Sequence, residues 1–108
     1  MNTFQVLREL HEFRKRHMPF LKTVEDIELI REIGFGQSTG QPLTLKTLYL
    51  QGIASYATVQ RRLNRMRKLG VIHRRQADHD RRVVVLTLDP KILRLYEQMG
   101  RLMRKAWA

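Results

Sequence analysis

Nine basic side chains lie between Ser55 and Arg82, namely Arg61, Arg62, Arg65, Arg67, Lys68, Arg74, Arg75, Arg81 and Arg82, and only Asp78 and Asp80 oppose them. Guanidinium groups bind phosphate oxygens, and their planar fork also matches the edge of guanine. Basic surfaces attract nucleic acid, anionic lipid and acidic proteins alike, so charge alone selects no partner. Its distribution says more. Residues 1–43 carry six basic and six acidic side chains, whereas the excess of a chain with net charge +11 is concentrated in 55–82. A merely solvated helix face interleaves acids with its bases, and residues 55–77 contain no acid. The segment therefore reads as a surface for a polyanion.

The elements that must position these residues follow from spacing. From Thr3 to about His17 the residues Phe4, Val6, Leu7, Leu10 and Phe13 recur at helical intervals, and Pro19 is a stop. Thr23 caps a second helix with acids in its first turn, whose stripe of Val24, Ile27, Ile30 and Ile33 ends at Gly34. The stretch GFGQSTGQP then reads as a flexible connector. Thr44 caps a short helix to about Gln51, Gly52-Ile53-Ala54 breaks it, and Ser55 caps a helix over Tyr56–Leu69 that Gly70 closes. Two helices so joined make a helix-turn-helix. VIHRR, the turn QADHD and RRVVVLTL follow as a two-stranded hairpin. Asp89-Pro90 starts a last helix carrying Ile92, Leu93, Leu95, Tyr96, Met99, Leu102, Met103 and Trp107.

With 108 residues, 43% of them hydrophobic and 29% charged, one small core is expected. The class expected is mainly α, a helix-turn-helix followed by a small two-stranded β wing. A single domain over 1–108 divides into N-terminal helices (1–43), helix-turn-helix (44–70), wing hairpin (71–88) and C-terminal helix (89–108).

Projecting the second helix of the pair at about 100° per residue gathers Val59, Leu63, Met66 and Leu69 on a core face. The opposite face holds Ala57, Thr58, Arg61, Asn64, Arg65 and Lys68, with Gln60 and Arg62 on its flanks. Small residues at its N-terminal end let the backbone approach a partner, and Thr58, Gln60 and Arg61 can bond base edges or phosphates, as a recognition helix in a major groove requires. The candidate contacts are Ser55, Ala57, Thr58, Gln60, Arg61, Arg62 and Arg65 on the helix, and Arg74, Arg75, His79, Arg81 and Arg82 on the wing. Asp78 and Asp80 would repel phosphate, so they are read as structural residues of the wing tip. Pairing of Asp80 with Arg82 or Arg74 leaves Arg81 or Arg82 to enter an A·T-rich minor groove.

Other chemistry finds little support. Without cysteine there is no disulfide framework, thiolate metal cluster or cysteine nucleophile, which fits a reducing compartment. His11, His17, His73 and His79 form no HExxH or closed ligand set, so no metal and no cofactor are expected. The glycines of GFGQSTGQP lack a GxxxxGK[ST] string and a preceding strand. Glu9, His11 and Glu12 sit on an ordinary amphipathic helix, and no enzyme is read. No signal peptide is visible, and no run approaches the roughly 18 apolar residues of a membrane span, so a cytoplasmic protein is expected.

The stretch from Thr44 to Pro90 resembles the winged helix-turn-helix of MarR-type transcriptional regulators. The matching elements are Ser55, the Ala57-Thr58-Val59 opening, Arg61, Leu63, Leu69-Gly70-Val71-Ile72, Arg74 or Arg75, and Asp78-His79-Asp80-Arg81-Arg82 ahead of a hydrophobic strand. The resemblance implies a bacterial or nucleoid-associated homodimer on a pseudo-palindromic operator. Recognition helices would enter successive major grooves and wing arginines the flanking minor grooves. Thr58, Gln60 and Arg61 would then read or position the groove, with Arg82 after Asp80 as the wing arginine. Asp89 stands where the family often has threonine, one N-cap in place of another. The sequence ends at Ala108, about 18 residues beyond Pro90, where the family has longer terminal helices that build its dimer interface and effector pocket. Phe4, Leu7 and Leu10 with Leu95, Leu102 and Trp107 can form a smaller dimer interface or pack on the core, and a small-molecule effector is left open.

Two functional readings follow. In the first, the protein binds double-stranded DNA sequence-specifically and regulates transcription by occupying a promoter or operator. In the second, it is an assembly module that binds a protein partner or RNA and holds DNA only weakly. A protein-binding face exposes aromatic or aliphatic anchors, and here only Tyr56 qualifies, which favours the first.

Overall fold

The computed structural model describes residues 2–107, the side chain of Trp107 excepted, so that residue's expected part in an interface lies outside the described residues. In chain order the elements are α1 (Thr3–His17), α2 (Val24–Ser38), α3 (Leu45–Leu50), α4 (Tyr56–Lys68), β1 (Ile72–Ala77), β2 (Asp80–Leu88) and α5 (Pro90–Trp107). The class is the expected one, mostly helical with a two-stranded antiparallel sheet. The elements fall into two compact units, one holding α1 and α5 and the other running from Thr23 to Asp89.

Local signals place most boundaries. In α1 the Asn2 side chain accepts from the Gln5 N–H at 2.9 Å, and Gln5 returns the bond to the Asn2 N–H at 2.8 Å. Thr23, Thr44 and Ser55 cap α2, α3 and α4 through their hydroxyls. At the end of α4, Gly70 takes φ 76°, its N–H reaches the Arg67 carbonyl at 3.0 Å and that of Val71 reaches Met66 at 2.9 Å. This double closure needs a left-handed residue, and it turns buried Val71 inward to start the hairpin.

In the Thr23–Asp89 unit, Leu29, Ile30, Ile33, Leu48, Val59, Met66, Ile72 and Leu86 form the core, each at most 1% exposed. The hairpin pairs Ile72 with Leu88 and Ala77 with Asp80, with an irregularity at Gln76/Ala77 and Asp78-His79 as its turn. Thr44 bridges to Val85, and the Leu86 N–H donates to the Leu43 carbonyl at 2.9 Å, which ties the entry of α3 to the wing. In the other unit α1 packs on α5, and Phe4 (81% exposed) and Leu7 (54%) point outward.

Two expectations are corrected. Helix α2 does not stop at Gly34 but continues through Gly36 to Ser38, taking in the first half of the stretch read as a connector. Helical glycine costs about 1 kcal/mol relative to alanine, and tertiary contact offsets it here. A Cβ on Gly34 would lie 3.2 Å from Leu88 Cδ1, one on Gly36 would lie 2.9 Å from the Gln41 carbonyl oxygen, and Gln37 accepts from the Leu88 N–H at 2.8 Å. The glycines therefore let backbone and strand approach the helix. Leu69, expected on the core face of α4, is 55% exposed because the helix ends at Lys68 and the chain turns away.

Replacement of Gly36 by alanine is expected to lower stability by about 1–3 kcal/mol, since the methyl meets backbone atoms that cannot yield. Gly100→Ala in α5 adds a methyl 3.4 Å from the tip of Arg104 and is expected to raise stability by about 0.5–1 kcal/mol. Urea unfolding of the two variants measures both signs, and a stabilising Gly36→Ala would mean that α2 does not dock this way.

Candidate nucleic-acid interface

The outer face of α4 follows from how its inner face is held. Val59, Leu63 and Met66 are buried, which turns Ala57, Gln60, Arg61, Asn64, Arg65 and Lys68 to line one open groove, closed at its end by the exposed Leu69. No carboxylate lines it. Asn64 and Lys68 lie where the helical projection puts them, beside the predicted contacts Ala57, Gln60, Arg61 and Arg65. At the N-terminal end the Ser55 hydroxyl accepts from the Thr58 N–H at 3.2 Å and lies 3.0 Å from the Thr58 hydroxyl. These two side chains therefore order the start of the helix as well as standing at its exposed end.

Arg62 departs from the expectation. It does not line the groove but reaches back to α2, where its Nε and Nη2 donate to the two carboxylate oxygens of Asp26 at 2.7 and 2.5 Å. Its side chain is 17% exposed and the Asp26 side chain fully buried. The bond to Asp26 holds the Arg62 pKa above its ordinary value, against the opposing effect of burial. Arg65 stands between the two roles, lining the groove with its Nη1 3.8 Å from Asp26. In the sequence Asp26 reads only as a helix-start acid. Its partner lies 36 residues away, and no local signal connects them.

On the wing Arg74, Arg75, His79, Arg81 and Arg82 are all exposed, as is Asp78. Of the two partners considered for Asp80, the structure has Arg82. Asp80 accepts from the Arg82 backbone N–H at 3.0 Å and from its Nε and Nη2 at 3.2 Å each. The Arg82 side chain is nevertheless 91% exposed, so the pair holds the guanidinium in place without covering it. Arg81 is exposed beside it and makes no bond to Asp80. At the base of the wing His73 Nε2 meets the Asp89 carboxylate at 2.8 Å, a contact the helix-cap reading of Asp89 did not anticipate.

One surface escaped sequence reasoning. The rings of Tyr49 and Tyr56 lie 4.4 Å apart, and Leu50 (77% exposed) and Tyr56 (61%) border a groove that also includes Leu45, Val83 and Arg82. Helical periodicity marks apolar residues as core and cannot show that a six-residue helix leaves Leu50 at its open end.

The Arg82 side-chain bond, followed by its backbone N–H, holds the Asp80 carboxyl below the usual carboxylate range. A group lowered in the folded state favours the ordered wing tip above its ordinary pKa, and that preference is lost as pH falls through the lowered value. In Arg82→Ala the Asp80 carboxyl is expected to titrate closer to an ordinary aspartate, as read by NMR. An identical titration in parent and variant would show that the pair does not form in solution.

No protein-family model and no curated protein matches the sequence. Solved structures do match. A MepR mutant from a multidrug-resistant S. aureus clinical isolate superposes with a TM-score of 0.73 at 15% identity, covering 96% of this chain and 71% of that one. Streptococcus pneumoniae FabT in complex with DNA gives a TM-score of 0.63 at 26% identity over 96% of this chain and 70% of its own. A mutant MarR from E. coli complexed with operator DNA gives 0.59 at 18% identity over 92% and 69%. Among the described residues no helix is long and apolar enough to cross a membrane. In element order, wing and extent of overlap, the chain has the winged-helix fold of the MarR-family transcriptional regulators.

Proposed function

We propose that this chain is a sequence-specific double-stranded DNA-binding protein that regulates transcription by occupying a promoter or operator. The observation that carries the reading is the face of α4, a groove lined by Ala57, Gln60, Arg61, Asn64, Arg65 and Lys68 with no acid among them. A helix of 13 residues is about 20 Å long and enters a major groove about 12 Å wide. Ala57 permits close approach, Gln60 and Arg61 supply hydrogen bonds to base edges, and Arg65 and Lys68 supply phosphate contacts. The wing adds exposed arginines, Arg82 braced by Asp80 and Arg81 next to it in sequence, of the kind that enter a narrow minor groove. The DNA held by the FabT and MarR structures supports the same use of this fold.

The full reading includes a homodimer in a bacterial cytoplasm, with residues 1–108 acting as one winged-helix domain and joined to a second copy through the terminal helices. Phe4 and Leu7 support this, because an apolar pair one helical turn apart has no use in water. A pseudo-palindromic operator then follows from the two-fold axis. The exposed Leu50 and Tyr56 favour a protein or RNA partner as the second reading.

Selection from random duplexes tests the proposal directly, and recovery of no preferred sequence would favour the second reading. On the selected duplex, Arg61→Ala is expected to lose about 1–3 kcal/mol and to relax base preference at its position. An unchanged recognition motif would remove Arg61 from base reading. Phe4→Glu is expected to shift the solution mass measured by sedimentation from dimer to monomer, and a parent already monomeric would exclude this dimer.

A further inference from the structure

The arginines of α4 are not all available to a duplex, and one acid outside the helix-turn-helix divides them. Asp26 is fully buried in the first turn of α2 and is oriented there by its own cap, accepting from the Thr23 N–H at 3.2 Å. It receives the Arg62 fork through both carboxylate oxygens and lies 3.8 Å from Arg65. We propose that Asp26 is a positioning residue that sets sequence specificity, by withholding Arg62 from the DNA backbone and by holding part of the charge of Arg65 away from it. The proposal rests on the reading that α4 faces duplex DNA.

Two physical effects act together. A phosphate contact strengthens binding to every sequence alike, so each arginine released to the backbone raises nonspecific affinity and narrows the margin for the correct site. Residues 55–77 contain no acid of their own, so restraint on this helix has to come from elsewhere in the fold. A planar, two-point bond between guanidinium and carboxylate also has a defined geometry. It ties the flank of α4 to the first turn of α2, beside the buried Val59, Leu63 and Met66 that turn Ala57, Gln60 and Arg61 outward. Arg62 is thus a clamp facing the protein, while Arg65, which lines the groove as well, is shared between Asp26 and the DNA face.

The test compares the full chain with Asp26→Asn, and with a double variant, Asp26→Leu with Arg62→Met, which fills the same space without charge. Each is titrated with the duplex selected by the parent and with a scrambled duplex of equal composition, over a range of salt, after circular dichroism has shown that it is folded. Asp26→Asn is expected to bind the scrambled duplex more tightly, with a salt slope steeper by about one to two, since each added phosphate contact contributes about 0.9. Its ratio of specific to scrambled affinity is expected to fall about tenfold or more. The double variant, which takes the Asp26 charge away from Arg65 and leaves no charge at position 62, is expected to steepen the slope by about one. Unchanged slopes and ratios in either folded variant would overturn the assignment. Equal loss of affinity for both duplexes would also overturn it, because a purely structural role weakens both alike. A parent that binds no duplex would instead remove the reading of α4 on which the proposal stands.

Discussion

The buried contact between Asp26 and Arg62 is the joint that divides the inward from the outward arginines of α4. A carboxylate with no exposure to water costs several kcal/mol unless a cation and further donors satisfy it. Here Arg62 and the Thr23 N–H do so. Close-packed apolar contact sets how the helices meet, and the two-point charged bond adds a directional tie between two particular groups. Around it Leu29, Ile30, Ile33, Val59 and Met66 supply the contact area. The apolar residues turn α4 within the core, and the ion pair fixes where Arg62 on its flank ends.

The same principle recurs at the wing with the opposite exposure. Asp80 braces Arg82 through backbone and side-chain bonds, yet the guanidinium stays almost wholly in solvent. Exposed pairs of this kind contribute little to stability and weaken with salt. Their value lies in orientation. One acid turns an arginine inward and another holds an arginine outward, so the net charge of +11 becomes a patterned surface rather than a diffuse positive field.

Much of this was legible in the sequence because the signals are local. Thr23, Thr44 and Ser55 announce helix starts through hydroxyls that reach a backbone N–H three residues on, and Gly70 announces the end of α4 through a backbone conformation that glycine adopts without strain. The β-branched run after Arg82 and the alternation of Val59, Leu63 and Met66 likewise depend on neighbours in the chain. The Asp80 partner is likewise local, since Arg82 lies two residues on. Where local propensity and tertiary contact disagree, the sequence misleads. Gly34 and Gly36 read as a break, but contact with Leu88, Gln41 and Leu43 makes their missing side chains the condition for helix docking.

The order of elements, the acid-free basic segment and its place on a helix and a hairpin rest on spacing or composition over a few residues, and so are legible in the chain alone. Which basic side chains face outward depends on long-range packing. Arg61 and Arg62 are adjacent in the chain and alike in chemistry, and helical projection separates them only as outer face and flank, where Gln60 also lies. One opens onto the groove and the other ends on a buried carboxylate 36 residues away, because only folding brings the first turn of α2 against the flank of α4.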